Sequence, residues 1–178
     1  MTISRNVSLL VGFTIILGGA LGLADKAVAA PADIFTPVLS TIRQQLPSGT
    51  SLRLPAYFPN SSIDLYPYFE SDDNGFRVNV SADPNCRASA CALGSIGVLT
   101  ETESWPPPAD TVSPIALTSE LDGYHLTWGQ GFFKTHNILW RQDGQIYGVG
   151  ALDSAIDTAE LVAIAESMIR EQPITSSR

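Results

Sequence analysis

The chain has 178 residues, 44% of them hydrophobic, and a formal charge of −8 from 10 basic and 18 acidic side chains. That length suits one domain and leaves little for a second. The acidity argues against nucleic acid and anionic lipid surfaces as partners, because both call for clustered lysine and arginine.

In chain order, residues 1–29 read as a signal peptide. Arg5 precedes an uncharged stretch over residues 7–24, and Ala27 and Ala29 then stand at the −3 and −1 positions of a signal-peptidase site. Cutting after Ala29 keeps Pro31 out of the +1 position. The competing reading is a retained membrane anchor, which needs about 20 apolar residues. Gly18, Gly19 and Gly22, with the small residues that follow, favour removal. No cysteine lies near the cut, so the chain is not read as a lipoprotein. Removing Arg5, Asp25 and Lys26 leaves eight basic and seventeen acidic side chains, with Lys134 as the sole lysine. Residues 30–171 then form a single domain, and residues 172–178 a flexible polar tail.

Within the domain, Asp33 can cap a helix over residues 33–46, whose Ile34, Val38, Leu39, Ile42 and Leu46 share one face before Pro47 and Gly49 end it. Residues 51–55 alternate polar and apolar as a short strand. Residues 63–70 read as an edge strand, because Pro67 cannot donate to a ladder. Asp72, Asp73, Asn74 and Gly75 make a turn, and a calcium loop is excluded by Arg77 where glycine is required. Phe76, Val78 and Val80 alternate with polar residues as a half-buried strand. In an exported chain, Cys86 and Cys91 pair as a disulfide, since their spacing fits neither zinc nor a redox motif. A strand over residues 93–102 follows.

Trp105 and Pro106, Pro107 and Pro108 begin a stiff exposed connection, prolonged by Pro114. Alternation resumes at Ile115 and Leu117, and Tyr124, Leu126 and Trp128 then fall on one side of a strand. His125, between them, points the other way, toward solvent. Residues 136–142 and 145–150 form a hairpin about Asp143 and Gly144, a pair that accepts a type I′ turn. From Asp157 the period lengthens, and Leu161, Ile164, Ala165 and Met168 form one stripe of a helix. The sum is an α+β fold, a mainly antiparallel sheet of hairpins with an N-terminal and a C-terminal helix packed on it.

Motifs for chemistry are sparse. Gly94, Ser95, Ile96 and Gly97 lack the earlier glycine of a nucleophile elbow. His125 and His136 are the only histidines, and spacing suggests no third ligand for a metal and no cofactor. The aromatic residues of the second half are mostly core by alternation. Phe132 and Phe133, adjacent between glycines, point opposite ways in an extended chain, so one is exposed. With Trp128 and Trp140 they form the candidate ligand or partner patch.

A disulfide after a strand, then Ile138, Leu139 and Trp140, Gln142 to Gly144, Tyr147, and the run from Leu161 to Met168 resemble uncharacterised exported proteins of cyanobacteria. The C-terminal part is also similar to bacterial envelope domains of unknown function. The resemblance implies export and no particular activity. Members of that group often carry further cysteines near residues 129–136, and this chain has none there.

The functional expectation is a non-catalytic periplasmic or secreted binding or accessory module, whose partner is an envelope protein or a small ligand. It is not held in the membrane after cleavage. The alternative is a hydrolase with a carboxylate or Ser/His site. Protein recovered from the cell envelope should begin at Ala30, which intact-mass measurement checks. A mass that retains residues 1–29 in a membrane fraction would contradict the cleavage reading.

Overall fold

The computed structural model describes residues 30–59 and 62–177, so the expected signal peptide lies outside the described residues. Seven antiparallel strands form one sheet in the order β2-β3-β4-β8-β7-β6-β5. They are β2 (Tyr66–Asp72), β3 (Gly75–Ser81), β4 (Ala92–Leu99), β5 (Thr111–Ala116), β6 (Asp122–Trp128), β7 (Thr135–Gln142) and β8 (Gln145–Leu152). Two-residue strands β1 (Ser51–Leu52) and β9 (Ile174–Thr175) pair separately. Helix α2 (Thr158–Arg170) follows β8. With these elements the chain is α+β.

Both prolines within the sheet lie on its two edge strands, Pro67 on β2 and Pro114 on β5, where a missing N–H breaks no inner ladder. The β7–β8 turn places Asp143 and Gly144 at φ of 52° and 75°, both in the left-handed region of the tight hairpin. Asn74 and Asp72 close the β2–β3 turn through the Asn74 N–H and the Asp72 carboxylate at 2.8 Å. Cys86 and Cys91 are disulfide-bonded, with Cα atoms 6.1 Å apart, across the loop from β3 to β4.

Register divides the sheet into two faces. One carries Val78, Val80, Ile96, Val98, Ile138, Trp140, Tyr147, Val149 and Ala151. Leu161, Ile164, Ala165 and Met168 of α2 are wholly buried against this face. Asp157 caps α2 by accepting from the Glu160 N–H, while the Glu160 carboxylate accepts from the Asp157 N–H. Residues 33–46 do not form one helix. A 3-10 stretch (Asp33–Val38) leads into α1 (Leu39–Gln45), and Phe35, Val38, Ile42 and Leu46 are the buried side chains. Asp33 does not cap it, because Ala32 holds the cap position without a side-chain bond.

Three expectations are corrected here. The tail is not loose: β9 pairs with β1, and the Ser177 N–H donates to the Arg43 carbonyl at 3.0 Å. Residues 51–55 do not alternate in burial, and Arg53 is 8% exposed. The proline-rich connection is half-buried, because Trp105 packs edge-on against Tyr124 at 5.6 Å and lies under the Arg141 guanidinium. It is a strap across the second face of the sheet.

On α2, Leu161→Asn should cost about 2–5 kcal/mol, as a core change does. Glu166 lies 3.8 Å from Arg170 on the exposed side, and Glu166→Gln should cost under about 1 kcal/mol. Urea unfolding of the two variants checks this, and equal losses would mean that the helix faces are misassigned.

Candidate functional site

Among the described residues, no α-helix covers the second face of the sheet. Along it, in register, run Asn79, Ser95, Gly150 and Asn137, and in the next row Arg77, Gly97, Gly148 and Leu139. The strap covers the β6–β7 side, with the Trp128 indole N–H donating to the Pro108 carbonyl at 3.1 Å. Between the strap and β3 a groove of about 260 Å³ remains, lined by Arg77, Ser95, Leu99, Pro107, Trp128 and Asn137 among others. It continues over Asn79, Thr135 and Leu152 into a more open end of about 400 Å³.

Glycines set the depth of this groove. A Cβ on Gly150 would lie 2.0 Å from Asn137 Oδ1, so the Asn137 carboxamide occupies the space that a side chain would take. A Cβ on Gly97 would meet the Phe76 carbonyl at 2.4 Å, so β3 and β4 approach closely there.

Among the described residues, Arg77 is the one ionisable side chain that lines both parts of the groove. It is paired with Glu70 at 3.1 Å and Asp72 at 2.7 Å. Asn79 donates to Glu70 at 2.7 Å. The hydrogen bond from Arg77 holds the Asp72 carboxyl below the usual carboxylate range.

The expected patch is split by the fold. Trp128 lines the groove, and Phe132 and Phe133 sit in the turn between Trp128 and Thr135, outside the residues that line it. They do not point opposite ways with one hidden. A 3-10 turn (Gly131–Phe133) replaces the extended chain, and Phe132 and Phe133 are 90% and 83% exposed. Trp140 is no part of the patch: it is fully buried on the other face, stacked on Tyr147 at 5.8 Å.

The histidines form a second cluster that spacing did not reveal. His125 and His136 stack at 5.1 Å, with His125 Nε2 2.9 Å from His136 Nδ1. His136 Nε2 is hydrogen-bonded to Asp153 Oδ1, and Lys134 Nζ lies 3.5 Å from Asp153 Oδ2. Thr158 Oγ1 is 3.3 Å from His136 Nδ1. The pattern is satisfied when both imidazoles carry their proton on Nε2, so that His125 donates to His136 and His136 to Asp153. His125 thus does not face solvent freely. Asp153, just past the end of β8, meets His136 on neighbouring β7, a pairing set by hairpin register that leaves no trace in local sequence. Among the described residues, no three His, Cys, Asp or Glu side chains are grouped to hold a metal ion. The nitrogens of His136 point at different partners rather than at a shared centre.

The chain matches no protein-family model, no curated protein and no solved structure. Among the described residues, no helix is long and apolar enough to cross a membrane.

Burial, followed by the neighbouring His136 and Lys134, which disfavour a second positive charge there, lowers the His125 pKa below its ordinary value of 6.5. The unfolded chain therefore takes up a proton at His125 before the folded chain does. The stability tied to His125 is complete above about pH 6.5 and falls as pH drops through the lowered folded value. Asp153 behaves likewise below its ordinary 3.8, chiefly through the hydrogen bond from His136. His125→Gln retains a donor toward His136 without the titration. It should flatten the loss of stability below about pH 6.5, as measured by urea unfolding at stepped pH. An unchanged slope would contradict the assignment.

Proposed function

We propose that this chain is an exported, non-catalytic binding module of the periplasm or the extracellular space. The observation that carries the reading is the groove lined by Trp128, with the exposed Phe132 and Phe133 in the turn that follows Trp128 in the chain. A concave surface with a few polar groups and an aromatic wall is the usual form of a ligand site. Two adjacent exposed phenylalanines are a costly surface that a partner can cover. Export is supported by the leader-like residues 1–29 and agrees with the Cys86–Cys91 disulfide.

The hydrolase reading has one observation in its favour, the aligned Asp153, His136 and His125. Placement opposes it. His125 and His136 share a face with Ile138 and Trp140, whereas the groove is on the other face, so acid–base groups and cavity do not meet.

Native mass spectrometry of the protein recovered gently from its own envelope fraction tests the reading. The expected spectrum shows a bound mass that is missing from Trp128→Ala. Chemical turnover of envelope material, abolished by His136→Ala, would establish the hydrolase instead. A ligand-free spectrum that Trp128→Ala leaves unchanged would also count against the module.

A further inference from the structure

We infer that the groove takes an uncharged, hydroxyl-rich chain, a segment of neutral oligosaccharide; this rests on the binding reading above and narrows it. Charge comes first. Among the described residues the sole ionisable lining group, Arg77, is already committed to Glu70 and Asp72. An anionic ligand would have to displace those carboxylates, and the excess of acidic side chains in the chain would repel it. A cationic ligand would find no carboxylate along the lining.

Hydrogen-bonding capacity comes second. Among the described residues, no side-chain hydrogen bond of the Ser95 hydroxyl is seen, whereas the Asn74 carboxamide is turned to Asp72. Asn137 makes only a long one, from Nδ2 to Thr135 Oγ1 at 3.4 Å. Asn137 Oδ1 accepts nothing while it lies across Gly150, toward Ser95 on the next strand. Ser95 and Asn137 stand two strands apart, about 9–10 Å between their backbones. These neutral donors and acceptors would be left unpaired beneath a purely apolar ligand such as an acyl chain, which opposes that class.

Shape comes third. Pro107, Leu99, Leu139 and Trp128 supply apolar surface beside the amides and the hydroxyl. A sugar ring offers the complement, an apolar C–H face and a rim of hydroxyls. An extended peptide fits less well. The groove crosses β3, β4, β8 and β7, each flanked by strands on both sides, so no free ladder edge is present to pair with a peptide backbone.

The test titrates the purified exported chain with cellotetraose, maltotetraose and tetra-N-acetylchitotetraose, followed by amide NMR. Tetragalacturonate and a tetraproline peptide serve as charged and peptide comparators. The expected result is millimolar or tighter binding of at least one neutral tetrasaccharide, with shifts confined to Ser95, Asn137, Gly148, Gly150 and the Trp128 indole. Asn137→Leu should weaken it roughly three- to tenfold, the scale of one lost neutral hydrogen bond. Gly150→Ala, which displaces the Asn137 carboxamide, should do the same. Ser95→Ala gives an independent loss should either variant fail to fold. No binding by any of the three neutral sugars, or binding indifferent to all three substitutions, would overturn the inference. So would tighter binding of the galacturonate or the peptide, although the same shifted amides would then leave the binding reading intact.

Discussion

A single buried guanidinium ties together the parts of this fold that are distant in sequence. Arg53 directly follows β1, lies over the Tyr147 ring, and donates from Nη1 to the carbonyls of Ile169 and Glu171 at the end of α2. Its Nη2 pairs with Asp143, the left-handed residue of the β7–β8 turn, at 2.6 Å. A charge that is 8% exposed is tolerable because both terminal nitrogens are bonded; the buried Nε has no partner among the described residues. The carbonyls it meets are those a helix leaves unsatisfied at its C-terminus, where positive charge is also favoured. Around it Ser51, Gln145 and Tyr147 bond one another at 2.8–3.1 Å, and Gln142 reaches Ile169. The apolar stripe of α2 supplies most of the burial energy, while Arg53 sets where the helix ends over the sheet.

That seal has a consequence for the opposite face. With the helices gathered on one side, the other is covered, among the described residues, by the strap from Trp105 to Pro108 over its β6–β7 side and by Arg87 and Ala88 of the disulfide loop over Tyr68 of β2. Leu126, Leu139 and Ile146 are buried on this face without belonging to the helix-covered core. The groove between strap and β3 is thus a product of incomplete cover. Its depth comes from glycines at central strand positions, where a strand gives up side-chain packing. Its neutrality comes from the closing of the Arg77 pair.

The features legible in sequence are those with a short-range cause. The Asp143 and Gly144 turn, the α2 stripe and the Cys86–Cys91 clip each lie within a few residues, and each is present. The edge position of Pro67 followed from its missing donor. What escaped depends on pairing across the fold. Arg53 reads as a surface residue in an alternating run until the end of α2 and the turn at Asp143 converge on it. The tail looks free until β9 finds β1, more than a hundred residues away. His125 seemed to face water because alternation gives direction but not what waits there, here His136. Phe132 and Phe133 were read as extended, although the flanking glycines at φ of 77° and 59° fold them into a turn that exposes both. The groove was invisible because glycines along a strand are weak signals one at a time and become a cavity only in register.

Arg53 is the pin that holds α2 over the sealed face, and one comparison tests that most directly. Arg53→Met keeps an apolar stem of similar reach and removes every donor, leaving the Ile169 and Glu171 carbonyls without it. Urea unfolding of this variant beside the wild type should show a loss of about 1–3 kcal/mol, the cost of buried groups deprived of their partners. Stability equal to or above that of the wild type would contradict the account, because the helix would then be held by its apolar stripe alone.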